Sequence, residues 1–395
     1  MVIGNPPYID SEMMVNIGLN EHRIFINETY QFISGNWDIY MAFFEKGLSL
    51  SCYVLCYITP DKWLSKPFGL KFREKCMLPR MSEVLHVGSD IFENVRVDGI
   101  ISLFLAKSNT LKTLKFDNKK DVCKISFINK TEIEPPYLID YLFSTNSIII
   151  SKIEKSVANK LIDVAVCEGS CATKDAYDLI PFLENNAKYK KTDYFALVNT
   201  GTIDKYSNKW GIKEITYLGN KLLYPIVNKK KFNANFGRTY VAKAAKPKII
   251  FKGLNLLDAF IDIEGTFLPG KSTLVICSDD IELLKYLCGI INSKLAIFFI
   301  KNKYSSSSYC GGITFTKEMF NCFPLSLAPQ HQKSIINLIN KIIFLKNKNP
   351  VADTSTLERK IDNLVYRYYN LTYDEVKIIE PDFPLSKAEY EEINI

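Results

Sequence analysis

Four residues into the chain, a short apolar run (Met1-Val2-Ile3-Gly4) stops abruptly at Asn5-Pro6-Pro7-Tyr8. Proline has no N–H to give to a strand ladder and fixes its own φ, so two in succession end the strand and set the direction in which the chain leaves it. The next hundred residues alternate in the way an α/β sheet requires. Asp38 to Leu50 places apolar residues near helical spacing, and Tyr53 to Ile58 reads as a buried strand stopped by Thr59-Pro60. A second helix is predicted over Lys71 to Met77, then strands over Glu83 to Val87 and Gly99 to Leu105. Together these make half of a doubly wound pattern.

The chain has 395 residues, and at about 150 per domain this suggests two or three units. With 47% hydrophobic and 24% charged residues, disorder and collagen-like structure are excluded. The net charge of +7 is too modest to argue for a polyanionic partner by itself. No run approaches 18 apolar residues and no basic, then apolar, leader opens the sequence, so no membrane span or signal peptide is predicted and the expected location is cytoplasmic. The ten cysteines lie mostly in apolar stretches and read as core fillers. Cys167 and Cys171 lack a second pair, and His22, His86 and His331 are scattered, so no metal is expected.

Expected boundaries follow composition. Residues 1–112 form the first unit, and 113–160 is a charged extension and linker around one strand, VCKISFIN. Residues 161–326 form a second, α+β unit with strands near Phe195–Val198, Lys248–Lys252 and Ser272–Cys277 and a helix over Asp280 to Lys301. Residues 327–395 are helical, with Ile335, Ile339 and Ile342 on one face, then Leu357, Ile361, Leu364, Val365 and Tyr368 on another. Thr372 with Glu375 forms a capping box for the last short helix.

Asn5-Pro6-Pro7-Tyr8 is the most informative tetrapeptide, arising by chance in well under roughly one such chain in a hundred. Adenine's exocyclic amine is a poor nucleophile because its lone pair is delocalised into the ring. A site that alkylates it needs acceptors aimed at both N–H groups. The Asn5 side-chain oxygen and the Pro6 carbonyl can supply them, the prolines keep that carbonyl aimed, and Tyr8 offers a face for a base extruded from a duplex. A rigid turn after a strand is the alternative use of the same residues.

The tetrapeptide resembles the amine-methylation motif of amino-methyltransferases, and DIYMAFFEKGLSLSCYVLCYITPDKWL resembles the next motifs of adenine-N6 DNA methyltransferases of the gamma arrangement, including type IIG restriction-modification enzymes and the TaqI-like group. The resemblance implies S-adenosylmethionine as methyl donor, with Phe43 packing on its adenine, and places Pro60 and Trp63 beside the pocket. FGLKFREKCM and VLHVGSDIFENVRVDGIISLFLAK resemble the following helix and the strand, loop and strand whose aromatic, Phe92, stacks on the flipped base opposite Tyr8. Core packing is the other reading of Phe43 and Phe92. Later segments, among them YLGNKLLYPIVN, AKPKIIFKGLNLLDAFID and GGITFTKEMFNCFPL, are similar to the C-terminal specificity domain of these enzymes. The implied architecture is a partial Rossmann-like methyltransferase sheet, a target-recognition domain and C-terminal helices.

Lys221 to Lys252 holds nine basic residues and no acidic one, interleaved with Tyr224, Phe232, Asn233, Asn235, Phe236 and Tyr240. Lys229, Lys230, Lys231, Arg238, Lys243 and Lys246 are candidate contacts to double-stranded DNA, against a merely solvated basic face. The family's Gly-x-Gly cofactor loop does not occur among the 18 glycines. An incomplete sheet exposes an apolar edge. The chain alone is therefore expected to bind S-adenosylmethionine weakly or not at all and to need an N-terminal methyltransferase fragment in trans. A DNA-binding specificity subunit or remnant without catalysis is the rival reading, and methylation of RNA or protein a third, less favoured because nearly 390 residues follow the motif.

Overall fold

The computed structural model describes residues 1–51, 53–88, 98–105, 108–116, 122–304, 308–309 and 312–394. These fold as two compact units, one of residues 1–150 with 302–307, the other of residues 151–301 with 308–395.

The first unit is built on a six-stranded mixed sheet of β1 (Val2–Gly4), β2 (Leu55–Pro60), β3 (Met81–Gly88), β4 (Gly99–Phe104), β5 (Thr110–Phe116) and β6 (Val122–Asn129), in the order β1-β2-β4-β3-β5-β6. β1 runs parallel to β2 with Gly4 opposite Tyr57, and β4 is antiparallel to both β2 and β3. β1, β2 and β3 therefore point the same way, and their carboxyl ends share one edge of the sheet. α1 (Ser11–Asn16) follows the Pro-Pro turn, capped by Asp10, whose side chain accepts from the Glu12 and Met13 amides. α2 (Asn20–Thr29) leads on to α3 (Tyr40–Leu50), which buries Tyr40, Met41, Phe44 and Gly47. Phe44 anchors the core, its ring centroid 4.6 Å from Phe72, 5.5 Å from Tyr57 and 5.8 Å from Phe104. Gly47 is required there, because a Cβ would stand 2.4 Å from the Tyr57 hydroxyl. β1 is an edge strand, with Ile3 67% exposed.

The structure extends the first unit beyond its expected end. Within 113–160, the expected strand VCKISFIN is β6 and residues 113–116 complete β5, both in the six-stranded sheet, and the unit runs to residue 150 where the second unit was expected to start at 161. Lys112 stands opposite Glu83 on β3 and pairs with it at 3.4 Å while Leu111 and Thr113 turn inward. The helix expected over 71–77 begins at Leu70 and continues, through a π-helical stretch at Arg73–Met77, to Arg80.

The second unit contains two four-stranded sheets. One orders Phe267–Pro269, Tyr194–Val198, Pro225–Asn228 and Leu183–Asn185; the other Ala259–Asp262, Lys248–Lys252, Thr273–Cys277 and Cys167–Gly169. α4 (Lys229–Asn235) and α5 (Arg238–Ala245) cover the first sheet, packing Phe232 and Tyr240 against Phe195, Leu197 and Tyr217. The expected helix over 280–301 is two, Ile281–Ile291 and Lys294–Lys303, bent by 65°. Residues 327–395 belong to the same unit, and Pro329–Lys348 seats Ile335 so closely that a Cβ on Gly289 would lie 2.6 Å from it. The Thr372–Glu375 capping box is present. Among the described residues no single helix is long and apolar enough to cross a membrane.

A buried ion pair ties α5 to the second sheet. The Lys248 ammonium donates to the Ala244 carbonyl (2.8 Å), the Lys246 carbonyl (3.1 Å) and Asp262 Oδ2 (2.6 Å), while Asp262 also accepts the Thr266 and Phe267 amides. Both residues are almost wholly buried. Asp262→Ala leaves that ammonium uncompensated and is expected to cost about 3–5 kcal/mol in urea unfolding. A loss below about 1 kcal/mol would show that the pair does not hold the two elements together.

Candidate active site

The carboxyl end of β1 delivers Asn5 to the sheet edge. Asn5 is exposed and Pro6 is buried. The Tyr8 hydroxyl reaches back 2.5 Å to Asn5 Oδ1 and lies 3.1 Å from the Ile58 carbonyl at the end of β2. A hydroxyl has one proton, and the shorter contact takes it, so Tyr8 fixes which end of the Asn5 amide is oxygen and leaves that oxygen a second lone pair. Among the described residues no donor takes the Pro6 carbonyl. Two acceptors, Asn5 Oδ1 and Pro6 O, thus stand at the end of one strand.

The turn is held from outside the sheet. Asp38 Oδ1 accepts the Ile9 amide at 3.0 Å, Ile39 donates to the Ile9 carbonyl at 3.0 Å, and Ser11 donates to the Trp37 carbonyl at 2.8 Å. Burial, seconded by nearby Asp10, pushes the Asp38 carboxyl up to about 6 against the Ile9 and Tyr40 amides and Lys62. Burial, then Asp38, pushes the Tyr8 hydroxyl up to about 12, so it stays protonated and able to donate. The Tyr40 ring meets Tyr8 edge-on at 6.3 Å. One turn further along α3, Phe43 is 40% exposed beside the fully buried Phe44, so Phe43 is not a core residue.

Past β2, Trp63 is buried against Phe72. Arg73, 1% exposed, secures the loop: Nη1 donates to the Trp63 (2.6 Å) and Lys66 (3.0 Å) carbonyls, Nε to Pro136 (2.9 Å). Burial draws its guanidinium down to about 10, with Asp140 opposing. Asp38 and Arg73 are positioning residues that sequence reasoning missed. Asp38 does carry a signal, as it opens the DIYMAFFE segment; nothing marks Arg73 as inward. Phe92 lies outside the described residues.

The basic segment divides. Lys230, Lys231, Arg238 and Lys246 are exposed on or beside α4 and α5. Lys229 donates to the Lys191 carbonyl and lies 4.8 Å above the Phe195 ring, and Lys243 donates to the Gly169 carbonyl at 2.8 Å and faces Glu168 at 3.7 Å. The interleaved aromatics turn inward, since Phe232 stacks on Phe236 at 4.9 Å and meets Tyr240 at 4.9 Å. Phe232 and Tyr240 are core, not base-reading side chains, while Asn233 and Asn235 stay outside.

Residues 1–92 match the model of the Eco57I restriction-modification methylase family. No curated protein matches the chain. Among solved structures, the type IIL restriction-modification enzyme MmeI in complex with DNA superposes with a TM-score of 0.50 at 10% identity, over 99% of this chain and 57% of that one. The type IIG restriction endonuclease BpuSI gives 0.32 at 11%, over 93% and 54%, and a nuclease-deletion mutant of the type ISP enzyme LlaGI gives 0.42 at 9%, over 87% and 41%. The first of these shows a shared mixed α/β fold, and the chain spans 57% of that relative's length.

Because its carboxyl is raised, Asp38 makes stability depend on pH. The folded state holds this proton more tightly than the unfolded chain, so its contribution to stability is present below about pH 4 and is lost as pH rises through about 6. Asp38→Asn keeps an oxygen for the Ile9 amide without the charge. The variant is expected to flatten that part of the stability–pH curve in denaturant titrations between pH 4 and 7; an unchanged slope would mean that Asp38 titrates as a solvated carboxylate.

Proposed function

We propose that this chain is the target-base and DNA-recognition portion of an adenine-N6 DNA methyltransferase of a restriction-modification system, of the type IIG, TaqI-like gamma kind. The observation that carries the reading is the Asn5 oxygen, set at the end of β1 and fixed as an acceptor by the Tyr8 hydroxyl. Asn5 Oδ1 and the Pro6 carbonyl accept the two N–H bonds of the target amine, which favours a more tetrahedral nitrogen with its lone pair free to attack. Tyr8 and Phe92 sandwich the flipped base. S-adenosylmethionine supplies the sulfonium methyl, and the exposed ring of Phe43 is the surface offered to its adenine. Transfer is a direct displacement that needs no general base beforehand. The mixed sheet in which β1, β2 and β3 point the same way, with β4 antiparallel between β2 and β3, supports this reading, as does the family match over 1–92. In the second unit Lys230, Lys231, Arg238 and Lys246 contact phosphates, with Lys229 and Lys243 released from their carbonyls to join them.

A non-catalytic DNA-binding subunit is the competing reading, favoured by the exposed cations of α4 and α5. Both are tested by assaying methyl transfer to duplex DNA, with the chain alone and with the polypeptide encoded immediately upstream. Asn5→Ala should abolish N6-methyladenine in digested product while leaving duplex binding intact; methylation that survives would overturn the proposal. No methylation by wild type under either condition, with binding retained, would establish the non-catalytic reading. Replacing Lys230, Lys231, Arg238 and Lys246 one at a time by Ala should lower the slope of log affinity against log salt by about 1 each. An unchanged slope would remove that residue from the interface.

A further inference from the structure

The sheet edge that carries Asn5 brings together three further side chains whose chemistry the methyl-transfer reading does not use. Asp61 is the first residue after β2, His86 lies near the end of β3, and Asp98 immediately precedes β4. The ladder aligns them, since Gly99 stands opposite both Pro60 and Gly88, and His86 opposite Ile100. The Asp61 amide donates to the Asp98 carbonyl at 3.1 Å, which locks the two loop starts together. One carboxylate oxygen from each aspartate and one imidazole nitrogen all lie within 4.8 Å of one another.

The trio is electrostatically unbalanced. Asp61 is 8% exposed, and burial, then Asp140 and Asp98, push its carboxyl well up, with Lys62 opposing. Among the described residues no lysine or arginine forms an ion pair with Asp61 or Asp98. His86 Nδ1 is buried without a hydrogen-bond partner, and a neutral imidazole has a lone pair to give there. The Tyr40 hydroxyl, wholly buried and also unpartnered, lies within the field of Asp38 and Asp61. A buried carboxylate beside another, with an unsatisfied imidazole, is costly unless a proton or a cation completes the group.

We propose that Asp61, His86 and Asp98 form a divalent-cation site at the carboxyl edge of the six-stranded sheet. Two carboxylates and one imidazole neutralise a dication, and the mixed oxygen and nitrogen set suits Mn²⁺ or Zn²⁺ better than Ca²⁺ or Mg²⁺, which take oxygen ligands. Ligand bonds of about 2.0–2.2 Å set neighbouring donor atoms about 3–3.5 Å apart, so the three donors, now within 4.8 Å of one another, close in on the cation when it binds. Three protein ligands leave positions open to water. The cation would tie the end of β2 to the end of β3 and the start of β4. The expectation of no metal rested on sequence spacing, and these residues meet only through the β2–β4–β3 ladder.

The test is Mn²⁺ titration of the chelator-treated full chain, followed by loss of the free-ion EPR signal, with Zn²⁺ measured by calorimetry. One dication per chain is expected, and Asp98→Asn, at an exposed position, and His86→Gln should each weaken binding by about tenfold or more while the circular dichroism spectrum is kept. Binding should also weaken from pH 7.5 to 5.5 as the ligands take up protons. No stoichiometric uptake of either ion, or uptake unchanged in both variants, would overturn the site. Neither result bears on Asn5, so methyl transfer stands or falls separately.

Discussion

The residues after β1 cannot be held by a sheet. Pro6 and Pro7 bring no N–H to a ladder, and a polar tetrapeptide left to itself at a strand end would sample many conformations. Asp38 supplies what the sheet cannot, by taking the Ile9 amide, while residues 37 and 39 complete the clamp. Because Asp38 lies two residues before α3, and α3 is fixed by Phe44 in the aromatic core, the position of Asn5 is referred to the centre of the unit. The price of this arrangement is a carboxylate only 7% exposed, with its proton affinity raised.

The same sheet edge concentrates unbalanced polar groups. Asn5, the Pro6 carbonyl and the Ile58 carbonyl present acceptors, and Asp38 and Asp61 are carboxylates shielded from water. Strand ends pointing one way gather such groups, since the ladder satisfies the backbone only up to the last paired residue. Arg73 answers part of this excess by giving three hydrogen bonds to the carbonyls of Trp63, Lys66 and Pro136. Its burial makes it a fixed prop of the loop after β2.

Much of the first unit was legible because its signals are local. The Pro-Pro stop, the apolar runs of β2 and β4 and the helical spacing in Asp38 to Leu50 each need only a few neighbours to interpret. What stayed hidden depends on partners distant in sequence. Residues 113–116 read as linker until β5 was placed beside β3, and the helix over 280–301 gave no sign of breaking at Asn292 and Ser293. Composition was most misleading in the Lys221 to Lys252 segment. A mixture of aromatic and basic residues suits both a base-reading surface and an amphipathic helix pair, and the fold chose the second for Phe232 and Tyr240. Of the candidate site, Asn5, Tyr8 and Phe43 were named from the motifs, and the structure adds that Phe43 is exposed beside the buried Phe44. Asp61 and Asp98 carried no sequence signal at all.

The division of labour in α4 and α5 leaves an imprint on how this chain can change over generations. Their inward positions are committed to a close-packed aromatic cluster, and the Lys248–Asp262 pair anchors the end of α5. Their outward positions, from Lys230 and Lys231 through Asn233, Asn235 and Arg238, are exposed, and the ion pair that Lys231 makes with Glu184 is a long one at 4.0 Å. Substitution there is nearly free of any folding penalty, so drift can explore new side chains on that face while selection for a stable scaffold acts elsewhere.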